Sequence, residues 1–368
     1  MKKHYYLGLN ARRKHAWRHL FSKGRESDAA ALKKALEKKC GGTAVLTKNG
    51  RTGLAMALKA YFTPGDAVIV NGFTCFAVIE AIKAAGLVPV YADISRKTLN
   101  FSEKSLRETI KRPMKNIISG IIVQNTLGNP VDMQMVERFA GRNGLIIIED
   151  LAHSVGVKYP DGREAGTVGA AVVYSFGKDK AIDTISGGAV VFRHPCKNAV
   201  KAPELPPRKS DNTRERLYPL LAGMVRGFTH FHLGGVLMRA FLKLRLIERS
   251  ADNRLDFERK MPNFEAKSAF SQFRTAYGVE REFELVSDRA KCLEELKVAG
   301  YHFAGYWYEK PIAPERYYKK AGFVEENCPE ATFVAEHIIN IPTYYSEDQL
   351  KRAREIIRKH VLKEKEDE

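Results

Sequence analysis

Four side chains near the middle of the chain have types and spacing that could do chemistry together. Asp150 ends the apolar run Gly144-Leu145-Ile146-Ile147-Ile148-Glu149-Asp150, and His153 follows three residues later. Ser175 stands in Ala171-Val172-Val173-Tyr174-Ser175-Phe176, which leads into Gly177-Lys178-Asp179-Lys180. Both runs are short, rich in β-branched residues and bounded by Gly and polar groups, the pattern of buried parallel strands. Ligands of open α/β sheets sit beyond the carboxyl ends of the strands. A carboxylate, an imidazole, a hydroxyl and an amine would then share one rim. Pyridoxal phosphate (PLP) chemistry needs that set: a Lys for the Schiff base, an Asp for the pyridinium nitrogen, and hydroxyls with backbone N–H groups for the phosphate.

Each residue has a plainer reading. A carboxylate at the end of a buried strand must find a partner, and Asp150 could simply cap the next helix. A Lys after a strand is usually a surface charge, and Lys178 is as good a candidate as Lys180 on residue type alone. His153 could be structural, or could stack on a ring or bond its phenolic oxygen. The turn Asn49-Gly50-Arg51-Thr52 lies between a strand and a helix. A helix N-terminus offers N–H groups and a positive dipole end that suit a phosphate. There Gly50 permits close approach, Arg51 could add charge and Thr52 a hydroxyl, with Ser175 supplying a second hydroxyl. Asn-Gly is also a common turn. The chain has neither G-x-G-x-x-G nor a Walker A sequence. No metal site is expected: His230 and His232 have no carboxylate or Cys at ligand spacing, and the five cysteines (40, 75, 196, 292, 328) contain no C-x-x-C pair.

The elements that must position these residues alternate. Helices are expected over 29–39 (capped by Ser27-Asp28 and ended by Cys40-Gly41-Gly42), 52–62, 75–85, 102–110 and 132–143. Strands are expected over 43–47, 67–70, 88–92, 117–123, 145–148 and 189–192. Strands separated by helices of about ten residues indicate βαβ units and a mostly parallel sheet. The Pro-rich stretch 203–213 reads as a linker, and 217–247 as apolar and helix-prone but studded with Arg and Lys. Helices over 264–277 and 280–299, short strands near 301–308 and 337–341, and a last helix over 347–360 suggest a smaller C-terminal α+β domain. The division expected is a basic N-terminal arm and helix (1–40), a large PLP-binding α/β domain (41–200), a basic apolar insertion (201–260) and the small domain (261–368).

The net charge of +18 over 368 residues is uneven. Residues 1–40 hold 12 Lys/Arg against 3 Asp/Glu, and residues 201–260 hold 13 against 7. A basic surface favours anionic partners: nucleotide diphosphates, nucleic acid or an anionic membrane face. Interleaved Arg among apolar positions in 217–247, with the basic arm 1–25, could contact an anionic leaflet. No apolar run reaches the ~18–20 residues of a membrane span, and the N-terminus lacks the apolar region of a signal peptide. A cytoplasmic protein with reduced thiols is expected.

Taken together, the motifs resemble a known family. The pieces are Asn49-Gly50-Arg51-Thr52, Pro64-Gly65-Asp66, Phe73-Thr74, Pro89-Val90 with Asp93, and Gly128-Asn129-Pro130-Val131-Asp132-Met133. They continue through Glu149-Asp150-Leu151-Ala152-His153, Gly166-Thr167-Val168-Gly169, Ser175-Phe176 with Lys180, and Gly187-Gly188-Ala189-Val190-Val191. The chain is similar to the DegT/DnrJ/EryC1/StrS family of PLP-dependent sugar aminotransferases, a branch of fold type I. The resemblance implies Lys180, five residues after Ser175, as the Schiff-base lysine. It implies Asp150 at the pyridine nitrogen, His153 at the ring, and Gly50, Arg51 and Ser175 at the phosphate. It further implies a homodimer that moves an amino group from an amino acid such as glutamate to a nucleotide-linked keto-sugar, with no role for nucleic acid. Members with His in place of the Lys are dehydratases. Cys75 stands where the family commonly stacks an aromatic on the ring; Phe76 or His153 could take that role. Glu258, Arg259 and Lys260 stand where a neighbouring subunit's Asn is expected. Those departures keep two other readings open: a sugar dehydratase or eliminase, and a non-catalytic regulatory protein on the same fold.

Overall fold

The computed structural model describes residues 21–178, 180–228, 233–248, 254–274, 283–301, 308–341 and 347–362. The basic arm up to residue 20, His230, His232 and residues 302–307 of the strand expected near 301–308 lie outside the described residues. Seven strands form the main sheet: β1 (Thr43–Thr47), β2 (Ala67–Asn71), β4 (Val88–Ala92), β5 (Ile118–Val123), β6 (Ile146–Asp150), β7 (Ala171–Ser175) and β8 (Gly188–Phe192). Their order is β1-β8-β7-β6-β5-β2-β4. β8 runs antiparallel to both its neighbours, and the other pairs are parallel. The carboxyl ends of β2, β5, β6 and β7 therefore meet one edge of the sheet, the amino end of β8 joins them, and β1, antiparallel to β8, ends there too.

Side-chain alternation feeds two cores. Val68, Val70, Ile122, Ile148, Ala171, Val173 and Val190 pack on one face, under the helices Gly50–Tyr61 and Phe76–Ala84. Ile69, Ile121, Val123, Val172, Tyr174 and Val191 pack on the other, under Glu26–Cys40 and Met133–Asn143. Strands buried on both faces read as continuous apolar runs, which is why this sheet is visible in the sequence. β1 and β4 fall where expected, and Ser102 and Asp132 cap their helices through the N–H groups of Ser105 and Met135.

Three expectations change. The first helix is Glu26–Cys40, and its cap is not Ser27: Arg25 is the N-cap and donates its N–H to Asp28 at 2.8 Å. The linker is shorter than expected, because helix Lys209–Gly227 begins inside it and carries Pro219 within. Among the described residues of 280–299, Arg289–Val298 alone is helical; Asp288 caps it, and Phe283–Leu285 is strand β9, antiparallel to β11 (Ile338–Asn340). Strand β9 forms because Val286, Ile339 and Ile341 bury against helices Arg289–Val298 and Glu347–Arg358, a long-range contact that outweighs helix propensity.

A second joint ties the C-terminal part to the sheet. The two-residue strand β3 (Thr74–Cys75) pairs in parallel with β10 (Ile312–Ala313). Asp93, at the end of β4 and 8% exposed, accepts N–H bonds from Glu330 (3.0 Å) and Ala331 (2.9 Å), the first turn of helix Pro329–His337. An anion suits that helix end. Replacing Asp93 by Ala orphans these donors in a buried place. It is expected to destabilise the protein by about 3 kcal/mol, read from the urea midpoint, whereas Asp93→Asn, which keeps one acceptor oxygen, should lose less.

Candidate active site

β6 ends in two carboxylates, and strand alternation turns them to opposite faces. Glu149 is fully buried. It accepts the N–H groups of Gly166 (2.6 Å), Val168 (2.8 Å) and Gly169 (2.5 Å) and the hydroxyl of Tyr159. It holds the loop before β7 against the sheet. Asp150 shares the face of Ile148 and is 6% exposed. Its Oδ1 accepts the Ala152 N–H at 3.0 Å. Burial pushes its carboxyl above the ordinary range; the Ala152 N–H, the Lys180 charge and the Gln124 side chain pull it back. Lys180 therefore lies within electrostatic reach of Asp150.

The two candidate amines are separated by their surroundings. Lys178 donates to the Glu248 carbonyl at 2.7 Å, and its Nζ sits 3.9 Å over the Tyr218 ring. It faces the helices of the 209–247 segment. Lys180 occupies a loop pinned at its base: Phe176 N–H donates to Gly187 O at 3.0 Å and Thr184 N–H to Phe176 O at 2.9 Å. Gln272 clamps the far side, accepting the Asp183 N–H at 3.0 Å and donating to the Asp183 carbonyl at 2.9 Å.

By the same alternation, Ser175 shares the face of Val173, and there it meets the amino end of helix Gly50–Tyr61. A Cβ on Gly50 would come within 2.6 Å of the Ser175 Cβ, and one on Gly188 within 2.5 Å of the Asn49 carbonyl carbon. Only glycines allow so close a seam. Asn49 caps the helix by accepting the Thr52 N–H at 2.9 Å. Two of the residues expected at the phosphate have partners within the chain. The Arg51 guanidinium is ion-paired with Glu80. The Thr52 hydroxyl is buried, donating to Asn49 Oδ1 (3.0 Å) and accepting the Asp256 N–H (3.1 Å). Both side chains brace the turn. What the helix end presents to a ligand is its backbone dipole, beside the Ser175 hydroxyl.

His153 is half-buried in the turn that follows β6. Cys75 is half-buried at the end of β3. Phe76 stacks on Tyr317, with ring centroids 4.8 Å apart, so its face is covered by the C-terminal part. Gln124 was missed by the sequence reading. It follows β5 at the same sheet edge, its side chain helps draw the Asp150 carboxyl back down, and its buried Oε1 has no hydrogen-bond partner among the described residues. The strand-end reasoning that found Asp150 would have found it. Glu265 was missed as well. It is fully buried, and burial, with Glu215 and Asp183 nearby, raises its carboxyl well above the usual range. Among the described residues no cluster of His, Cys, Asp and Glu could hold a metal ion.

The set fits PLP on structural grounds. A carboxyl that burial disfavours as an anion would be relieved by a cationic ring nitrogen. An amine stands within its electrostatic reach, and a helix amino end with a glycine-only seam suits a phosphate. Asp150 also has a pH signature when no cofactor is bound. Its folded carboxyl holds a proton more tightly than the unfolded one, whose reference value is 3.8. Stability therefore falls as pH rises through the interval above that value. Cofactor-free Asp150→Asn should melt higher than the parent at neutral pH, and the difference should vanish as the pH approaches the unfolded carboxyl's range. Parallel thermal melts across the acid range measure this.

Known proteins place the chain. The model of the DegT/DnrJ/EryC1/StrS aminotransferase family matches residues 13–202. A pleiotropic regulatory protein of Geobacillus stearothermophilus is 34% identical over 145 residues, 39% of this chain and 38% of its own length. GDP-perosamine synthase of Escherichia coli O157:H7 is 34% identical over 149 residues, 40% of each chain. The match thus spans about two-fifths of these relatives. The crystal structure of a DegT DnrJ EryC1 StrS aminotransferase from Brucella abortus superimposes with a TM-score of 0.69 at 19% identity, over 97% of this chain and 99% of that one. Matched by its family model over more than half its length and by its fold over nearly all of it, the chain belongs to the DegT/DnrJ/EryC1/StrS aminotransferase family.

Proposed function

We propose that this protein is a PLP-dependent aminotransferase, working as a homodimer, that moves an amino group from an amino acid, glutamate by preference, to a nucleotide-linked keto-sugar. The observation that carries the reading is the buried Asp150 carboxyl with the Lys180 charge in reach, while Lys178 is turned toward Tyr218 and Glu248. The E. coli relative is by name a synthase of a GDP-linked amino sugar, which supports the choice of acceptor.

When bound, PLP supplies an electron sink for bonds at the donor's α-carbon. The protein's part is positioning and proton transfer. Asp150, oriented by Ala152 and Gln124, binds the ring nitrogen and keeps its proton in place; in so dry a site the pair is worth more than in water. The amino end of helix Gly50–Tyr61 and the Ser175 hydroxyl orient the phosphate. Lys180 Nζ holds the cofactor between turnovers. As a free amine it would serve as the base that takes up and gives back the proton at the donor's α-carbon. His153 covers the ring face. Gln272 and Thr184 keep the Lys180 loop from drifting out of reach of Asp150.

The test starts from the absorbance spectrum of the purified protein. Borohydride should bleach the long-wavelength band and leave a label that maps to Lys180. Lys180→Ala should lose about 10³-fold or more in rate, in the range for a positioned acid–base group, while Lys178→Ala keeps the label and the reaction. With glutamate and a nucleotide-linked keto-sugar, 2-oxoglutarate should form in step with amino-sugar. Sugar consumed without 2-oxoglutarate would mean elimination and overturn the reading, as would a label on Lys178.

A further inference from the structure

The segment 209–247 is the largest feature that the proposed reaction does not use. Its two helices, Lys209–Gly227 and Gly234–Lys243, pack against each other, and the Leu233 N–H donates to the Phe228 carbonyl at 3.2 Å, closing their tip. The inner face is a small core of its own: Tyr218, Ala222 and Val225 meet Leu237 and Phe241 over Ile185 of the Lys180 loop. The acidic groups sit at the base and are engaged, Glu215 with Lys48 at 2.6 Å and Glu248 with Arg214.

The outer face is the opposite. Met224 (45% exposed), Phe228 (42%), Leu233 (50%), Val236 (52%) and Leu244 (67%) lie in the open, five of the eleven exposed large apolar side chains among the described residues. Met224 and Phe228 are one helical turn apart, as are Leu233 and Val236, so each pair shares a stripe. Arg239, Lys243 and Arg245 are exposed beside them. Between 217 and 247 the sequence has four Lys/Arg and no Asp or Glu.

We propose that this helical hairpin docks on an anionic lipid surface, its apolar tip in the headgroup–acyl boundary and its cations on the lipid phosphates. An exposed apolar stripe bordered by Lys and Arg is the pattern of a helix lying in a bilayer interface. The charge decides between lipid and a second copy of this chain. A two-fold contact would bring the same face, with its unbalanced cations, against itself, and like charges across an interface oppose docking. Each cation near an anionic leaflet contributes about a fivefold gain in binding. No helix among the described residues is long and apolar enough to cross a membrane, so the contact is peripheral. The proposal does not depend on the aminotransferase reading.

The test spins the full-length protein with vesicles of phosphatidylglycerol and phosphatidylcholine in equal parts, and with phosphatidylcholine alone, at low and raised salt. Co-sedimentation is expected with the anionic vesicles, weaker in salt. Val236→Glu, and separately Arg239→Glu with Lys243→Glu, should each lower binding by about tenfold or more at an unchanged melting temperature. Should Val236→Glu fail to fold, the charge-reversed variant carries the test, because its side chains are exposed. No binding by the parent, or equal binding by parent and variants, overturns the proposal. So does a parent that ignores vesicles but changes oligomeric state on Val236→Glu, which would give the face to a second copy.

Discussion

A strand buried on both faces cannot end in two carboxylates unless each finds its own compensation, and the ending of β6 is organised by that constraint. Glu149 is compensated from within, by three backbone N–H groups and a phenol. A fully bonded anion of this kind holds structure and has no capacity left for a ligand. Asp150 has one N–H on Oδ1, the Gln124 side chain and the Lys180 charge, and burial still dominates its titration. One residue along a strand is thus the difference between a carboxyl satisfied from within and one that burial still holds above its ordinary range, because neighbouring side chains face opposite cores.

The rest of the sheet edge serves that asymmetry. Asp150 and Ser175 are the last residues of neighbouring strands and share one face of the sheet, where Ser175 meets the amino end of helix Gly50–Tyr61. The seam there is closed by glycines and braced by Arg51 with Glu80 and by Thr52 with Asn49 and Asp256. Polar side chains beside a binding site often hold the scaffold and leave the ligand to the backbone. The pinned loop carrying Lys180 follows the same economy: its hydrogen bonds run to Gly187 and Gln272, and its neighbour Ile185 is buried under the 209–247 helices.

Segments distant in sequence are coupled to this edge. Asn49 donates to the Arg254 carbonyl at 2.8 Å, and Glu258 O accepts the N–H groups of Glu204 and Leu205. The stretch 258–260, where the family resemblance leads one to look for an Asn, thus pairs with residues 204–205, while Arg254 and Asp256 just before it hold the Asn49–Thr52 turn of the same chain. Lys48, one residue before the cap, reaches Glu215 on the inserted helix, near the protonation-favoured Glu265. On the other side of the sheet edge, Tyr91 donates to the Ala321 carbonyl at 2.8 Å and Asp93 caps helix Pro329–His337, so the C-terminal part is joined to strand ends as well.

The sequence by itself determined the mostly parallel sheet and the placing of Asp150 and Ser175 at the ends of its strands. Long apolar runs report burial on both faces, and polar residues ending such runs, like Asp150 and Ser175, have one place to go. Gln124 was open to the same logic. What only the tertiary structure decided are the partners of long side chains. Lys178 and Lys180 differ in the sequence by two positions and in the fold by which neighbours reach them, Glu248 and Tyr218 for one, Asp150 for the other. The partners that Arg51 and Thr52 take within the chain, Glu80 and Asp256, come from 29 and 204 residues away. Strand β9 read as helix for the same reason: its pairing partner lies across the chain in β11. Local pattern encodes which side of an element is buried. Which particular group waits there is settled by contacts between residues far apart in the chain.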